Sequence, residues 1–230
     1  MNELLWALSL TVAIYLIFWF LQIKTKQSYL NPLLLSSLFI MLNLIVFKID
    51  YDVYKKGTAF ITFLIGPATV SLAIPLYENL PMLKKHWKII TVTLLIGIVV
   101  HAMMIGTLAI MLNVSKEMLA TFIPKSVTTA IAMDVAESLG GIKNLTIAVV
   151  IITGILGAMI SPLVFKMFKI ESPIAKGLSL GISAHAVGTA KAAELGGIEA
   201  SMASLALIIT GFLTVLSAPL VYYIFSMFLS

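Results

Sequence analysis

Two stretches carry polar and ionisable side chains inside otherwise apolar sequence. The first, Pro124-Lys125-Ser126-Val127-Thr128-Thr129, lies in the segment Met118–Ile142. Proline suits a helix start, hydroxyls can cap free N–H groups, and the positive end of a helix dipole beside a lysine favours an anion. We therefore predict a helix break at Pro124 and an anion site formed by Lys125, Ser126, Thr128 and Thr129. The alternative is an ordinary helix start at the water interface, with the lysine extended to solvent.

The second stretch, Gly181–Lys191, lies in the segment Ser172–Ile198. Its small residues let backbones approach closely, and a histidine can donate to an anion or carry a proton near neutral pH. We predict that this stretch contacts the same solute from the other side, through Ser183, His185, Gly188 and Thr189. The alternative is a packing face of small residues with a structural histidine.

Other ionisable side chains have less defined roles. His101, Asp134 and Lys191 are candidates for proton coupling or for structural roles, because an ionisable residue at membrane depth is costly unless it is used. Glu137 and Glu194 each precede a Gly-Gly pair at an expected helix end, which favours a structural role. Gly66-Pro67 predicts a further helix break or kink, since proline removes a backbone donor.

Several chemistries are excluded by residue types and spacing. The three histidines lack metal-ligand spacing, no second aspartate accompanies Asp134 at membrane depth, and no nucleophile elbow is complete, so we expect no enzyme, metal or cofactor. All 15 basic residues are lysines, and they are dispersed between apolar runs, which argues against nucleic acid. Without arginine there is no bidentate carboxylate clamp, which favours a small solute over a polyanion.

The composition predicts a membrane protein. The chain has 230 residues, of which 60% are hydrophobic and 11% charged, whereas soluble domains are about 45–50% apolar and about 25% charged. About 20 apolar residues cross the hydrocarbon core as a helix. Six runs free of Asp, Glu and Lys meet this length, and we predict a single transmembrane domain over residues 1–230. The runs are Leu4–Ile23, Gln27–Phe47, Gly57–Tyr77, Ile89–Ser115, Asn144–Phe165 and Ala200–Ser230.

The two interrupted segments resemble each other. Ala136–Ile142 matches Ala193–Ile198 with one residue deleted, and Pro162 matches Pro219 at an offset of 57. This predicts an internal repeat, with units at about 118–168 and 175–228. The fold class is then an all-α polytopic membrane protein with about six clean helices and two interrupted or re-entrant segments. Such paired interruptions are the best sequence pointer to a transporter site, and the distribution of loop lysines favours re-entry over full crossing.

Four separated motifs resemble the LrgB/CidB family over essentially the whole chain. They are Asn31-Pro32-Leu33, Gly66-Pro67-Ala68-Thr69-Val70 with Pro75-Leu76-Tyr77, Pro124–Thr129, and Gly181–Ala190 with its Ala-His-x-x-Gly-Thr-Ala core. The resemblance implies either of two functions. One is carriage of small monocarboxylates, since the plastidial glycolate/glycerate translocator has an LrgB-like C-terminal half and some bacterial pairs are linked to pyruvate uptake. The other is antiholin-like regulation of murein hydrolase export and autolysis.

The residues favour the carrier. A holin needs oligomerising amphipathic helices, not a repeat with buried Lys and His in broken segments. We therefore expect a multi-pass subunit of the bacterial inner membrane that moves a small organic anion such as pyruvate or glycolate. Proton coupling is an open option, an LrgA/CidA-like membrane protein is the partner implied by the resemblance, and assembly into a homo-oligomer is left open.

Overall fold

A computed structural model describes residues 2–25, 31–71 and 73–229. Over these ranges the chain is helical and has no strand, which confirms the all-α class. The chain divides into two compact units, residues 1–71 and 72–230. The helices are α1 (Asn2–Thr25), α2 (Pro32–Val46), α3 (Tyr51–Gly57), α4 (Ala59–Ser71), α5 (Ala73–Glu78), α6 (Leu80–Met111), α7 (Lys116–Phe122), α8 (Thr129–Ser138), α9 (Lys143–Met167), α10 (Pro173–Leu195) and α11 (Gly197–Ser226).

The first unit packs α1 against α2 and α3. The Thr11 hydroxyl lies 2.7 Å from the Tyr54 hydroxyl, and the Tyr54 ring also contacts that of Trp6. Asn31 caps α2 by accepting from the Leu33 N–H at 2.9 Å, and proline follows at the first helical position, where its missing donor costs nothing. The Asn-Pro-Leu motif is therefore a helix start.

Among the described residues, four helices are long and apolar enough to cross a membrane, whereas the sequence has six apolar runs of that length. The four helices span Leu5–Thr25, Leu80–Met111, Lys143–Met167 and Gly197–Ser226 and have 21 to 32 residues. The second predicted run contains α2, which has only 15 residues. The third contains α4 and most of α5, which lie on either side of residue 72, outside the described residues. The helix α2 has the apolar composition of a span but is too short for one.

Gly66 and Pro67 do not end a helix. Both lie inside α4, which continues to Ser71. A proline inside a helix removes one N–H donor but leaves the following turns able to form. The predicted helix break at these two residues is therefore wrong, and the kink stays a prediction.

The first interrupted segment is a hairpin, here called the first hairpin: α7, the turn 123–128 and α8. The Ile142 N–H donates to the Thr121 hydroxyl at 2.9 Å, and a Cβ built on Gly141 would lie 2.8 Å from the Thr121 nitrogen. The chain thus leaves α7 and returns to the same place after α8. Gly140, at φ 81°, ends α8, and the Gly141 N–H donates to the Ala136 carbonyl at 2.7 Å.

The second interrupted segment, α10, is broken at His185. This residue has φ 43° and ψ −128°, far from helical values. A Cβ on Gly188 would overlap the carbonyl oxygen of Leu180. In a continuous helix, residues eight apart are separated by about 12 Å along the axis. The chain therefore folds back at His185 into two arms, residues 173–184 and 186–195, called the second hairpin.

Packing on α11 fixes the direction of these arms. A Cβ on Gly177 would lie 2.6 Å from the Met202 Cβ, and one on Gly181 would lie 2.6 Å from the Ala206 Cβ. The partners advance together along both elements, so the first arm is parallel to α11. The second arm, which connects them, must run in the opposite direction. The small side chains allow this close backbone approach.

The two hairpins enter from opposite ends of α9. Thr121, at the base of the first hairpin, accepts a 3.3 Å hydrogen bond from Thr146 in the first turn of α9. The second hairpin follows the other end of α9. Its first arm runs antiparallel to that helix, since only residues 168–172 connect the two and Gly157 faces Ala184. Each hairpin is followed by one long helix, but the sequence repeat over 118–168 and 175–228 stays a prediction.

We expect Gly181→Val to lower the free energy of unfolding by about 1–3 kcal/mol, because the added side chain would overlap the Ala203 carbonyl oxygen and the Ala206 Cβ in the parallel arrangement. The loss would be measured as a lower Tm in detergent. Ala190→Val, at an exposed position of the second arm, is the control. An unbroken α10 followed by the turn at Gly196 would instead place Gly181 opposite Gly211 and leave room for the new side chain. An unchanged Tm for Gly181→Val would therefore contradict the hairpin.

Candidate functional site

The two helix breaks meet on one residue of α9. The His185 Nε2 lies 3.0 Å from the Val150 carbonyl oxygen and donates to it, since a carbonyl can only accept. Val127 and Ala132, from the turn and the start of α8, pack against the Val150 side chain. The tips of both hairpins therefore converge about two turns inside α9.

The His185 ring packs against α9 at Gly154, where the absence of a side chain leaves room for it. A Cβ on Gly154 would lie 2.6 Å from the His185 Cε1, closer than real Cβ atoms approach other atoms. The histidine side chain is buried, with 3% exposure. Because Nε2 donates to Val150, Nδ1 of the neutral ring is an acceptor. That nitrogen is buried and has no hydrogen-bond partner among the described residues.

The other predicted residues of the second hairpin serve mainly its fold. The buried Thr189 hydroxyl donates to the His185 carbonyl at 2.9 Å and so gives this carbonyl at the break a hydrogen-bond partner. Gly188 gives room for the first arm. Ser183 is exposed, and its hydroxyl donates back to the Ser179 carbonyl at 2.6 Å. The structure therefore brings His185 to the meeting point but leaves Ser183 on the outside of the hairpin.

The turn of the first hairpin differs from the predicted helix start at Pro124. Proline lies just after the end of α7, and the next helix begins only at Thr129, with Thr128 as its N-cap. The Thr128 side chain makes no capping hydrogen bond. The first N–H groups of α8 have no helical acceptor, as at any helix start. Lys125, Ser126, Thr128 and Thr129 are all partly buried here.

A cavity opens between this turn, α6, α10 and α11. Its volume is about 30 Å³, more than the ~10–15 Å³ that one water needs. Apolar side chains form much of the wall. The polar lining consists of His101, Ser126, Thr210, Thr214 and Ser217.

The ionisable groups near the cavity are basic. His101 lines it and has a buried Nε2 without a hydrogen-bond partner among the described residues. Lys125 precedes the lining residue Ser126, and its charge acts on both His101 and His185. No acidic residue pairs with Lys125 in the part of the chain that the structure describes. A partly buried lysine without a carboxylate partner makes this region attractive to an anion.

The remaining ionisable candidates lie away from the cavity. Lys191 pairs with Glu194 at 2.6 Å, and Lys143 pairs with Glu137 at 2.7 Å, each glutamate being well exposed. Asp134 is exposed on α8. The structure therefore separates Asp134 and Lys191 from His101, which is the member of that group that lines the cavity.

Sequence reasoning missed the hydroxyl side chains of α11. Thr210, Thr214 and Ser217 follow the spacing i, i+4, i+7, which places them on one helix face. This spacing was available in the sequence. Nothing in it indicated that this face meets the turn of the first hairpin.

The fold and site define an all-helical membrane protein in which two broken helices meet beside a small cavity with hydroxyl and imidazole groups in its lining. The sequence model of the LrgB-like family matches residues 11–224, and the chain belongs to this family. No solved structure matches the chain.

Replacing Gly154 with valine should push the His185 ring off the Val150 carbonyl. We expect overpacking to lower the free energy of unfolding by about 1–3 kcal/mol, measured as a lower Tm in detergent. Adding His185→Ala should recover part of this loss, because the ring that clashes is gone. Ala148→Val, at an exposed position of the same helix, is the control. Strictly additive losses in the double variant would show that the ring does not occupy this place.

Proposed function

We propose that this protein is a carrier subunit for small organic anions of the pyruvate or glycolate type. The observation that carries the proposal is Lys125, a partly buried cation without an acidic partner among the described residues, placed at the turn where two helix breaks meet. A buried charge is costly unless it is compensated. A carboxylate from solution supplies the missing charge.

The surroundings of Lys125 match a carboxylate in size and chemistry. The Ser126 hydroxyl makes no hydrogen bond to another described residue and lines the cavity. The start of α8 adds unpaired N–H groups and the positive end of its dipole. In this proposal the ammonium, the hydroxyl and the helix start share the two carboxylate oxygens. The small cavity favours an acid of a few carbons.

His185 is the proposed site of proton coupling. Its Nε2 is committed to the Val150 carbonyl, so an added proton goes to the buried Nδ1. Protonation turns that nitrogen from an acceptor into a donor and adds a positive charge. A carboxylate nearby would favour this charged form. Anion and proton would then bind together, which reduces the net charge moved across the membrane.

The partner and the location are proposed from what the resemblance to the LrgB/CidB family implies. We propose that the protein acts in the bacterial inner membrane with an LrgA-type membrane partner. The rival function is an antiholin-like regulator of murein hydrolase export, which requires no solute site. The unpaired Lys125 and the cavity would have no purpose in such a regulator.

Lys125→Ala should abolish saturable uptake of labelled pyruvate or glycolate by proteoliposomes, because the carboxylate loses its counter-charge. Lys191→Ala is the matched control, since that lysine pairs with Glu194 outside the cavity. Both variants should reach the membrane in normal amounts. Normal uptake by Lys125→Ala would defeat the site assignment.

Uptake by the wild-type chain separates carrier from regulator. We expect transport that saturates and is competed by unlabelled acid, measured with and without the LrgA-type partner in the same vesicles. A leak that is indifferent to the chemical nature of the solute would support the regulator instead.

A further inference from the structure

The proposed carboxylate site leaves one wall of the cavity without a role. Thr210, Thr214 and Ser217 of α11 line the side contributed by that helix, and His101 lines the side contributed by α6. None of these four residues is acidic or permanently charged. The cavity thus has a hydroxyl-rich wall on α11 and a second wall at the turn of the first hairpin, where the lining residue Ser126 follows Lys125 in sequence.

The hydroxyls on this wall differ in whether they already hydrogen-bond to another group of the protein. Thr210 donates to the Ala206 carbonyl of its own helix at 2.6 Å. Thr214 and Ser217 make no hydrogen bond to any other described residue. Most hydroxyls inside a membrane helix bond back to the preceding turn, as Ser204 does to Ala200 at 2.8 Å. Two neighbouring hydroxyls that face a cavity without such bonds are available to a bound molecule.

A polar wall inside a membrane protein needs a partner. Hydrocarbon offers none, so an unsatisfied hydroxyl there must find water or a ligand group. The buried Nε2 of His101, on α6, likewise needs water or a ligand group as its hydrogen-bond partner. The remaining lining is apolar and includes Ile98, Ile105, Ile123 and Val221. This combination suits a short carbon chain that carries one neutral oxygen.

We propose that Thr214, Ser217 and His101 form a specificity subsite that recognises a hydroxyl or keto oxygen beside the carboxylate of the solute. The inference rests on the proposed function, because it assumes that the carboxylate binds at the turn that carries Lys125 and Ser126. The solutes selected are 2-hydroxy and 2-oxo acids. An unsubstituted acid would leave the polar groups of this wall without hydrogen-bond partners. A polar site rejects an analogue most strongly when the analogue lacks the group that the site binds.

Dicarboxylates fit this wall less well. A second carboxylate would require a second cation, and the described lining of the α11 wall offers hydroxyls and one imidazole but no lysine. Unsubstituted alkyl acids fit the apolar lining but leave the Thr214 and Ser217 hydroxyls without a hydrogen-bond partner. The subsite therefore selects by hydrogen bonding next to a single negative charge.

The test compares pairs of acids that differ by one oxygen. Full-length protein in proteoliposomes takes up labelled glycolate, and unlabelled glycolate, acetate, lactate, propionate and pyruvate compete. We expect wild-type protein to prefer glycolate over acetate, and lactate over propionate, by at least about tenfold, the effect of roughly one good hydrogen bond. The double variant Thr214→Val, Ser217→Ala should bring both ratios close to one.

Ser204→Ala is the matched control, since it removes a hydroxyl of α11 that bonds within its own helix and does not line the cavity. It should leave both ratios unchanged. If glycolate uptake saturates but the double variant keeps the wild-type ratios, the subsite is wrong while the carrier stands. If no acid competes with any other in wild-type protein, the proposed function itself fails. A folded double variant is verified by its Tm.

Discussion

The hydrogen bond between the His185 ring and the Val150 carbonyl is the contact on which the rest of the second unit depends. A helix broken inside a membrane must find partners for its freed polar groups within the protein. Here the second hairpin places its break against α9, and Gly154 leaves the space for the ring. The first hairpin reaches the same residue from the other end of α9 through Val127 and Ala132. The meeting of two breaks thus sets where the polar interior of the unit lies.

This arrangement explains why basic side chains occur in so apolar a chain. Lys125, His101 and His185 belong to three different elements, yet the charge of the lysine acts on both histidines. Asp134, Glu137 and Glu194 are instead exposed, and the two glutamates pair with lysines. One lysine inside without an acidic partner among the described residues, and ion pairs outside, leave an interior that a small anion would complement.

The features that depend on residue type and local sequence could be predicted. The Gly-Gly pairs predicted helix ends because glycine tolerates positive φ, and Gly140 adopts it. Composition predicted membrane helices, but it could not show that α2 stops after 15 residues. The helix predicted at Pro124 begins at Thr129, since the turn is shaped by packing on Val150 rather than by proline alone. The α11 hydroxyls were missed because a sequence does not distinguish a threonine bonded to its own helix from one that faces a cavity.

The parallel contact between the second hairpin and α11 has a mechanical consequence. Gly177 and Gly181 lie against backbone atoms of α11, and Leu178 and Met202 belong to one buried cluster at the same contact. Packed elements slide past each other only if interlocking side chains change rotamer. The first arm and α11 should therefore move as one rigid body, and any rearrangement of the unit should occur at its other contacts.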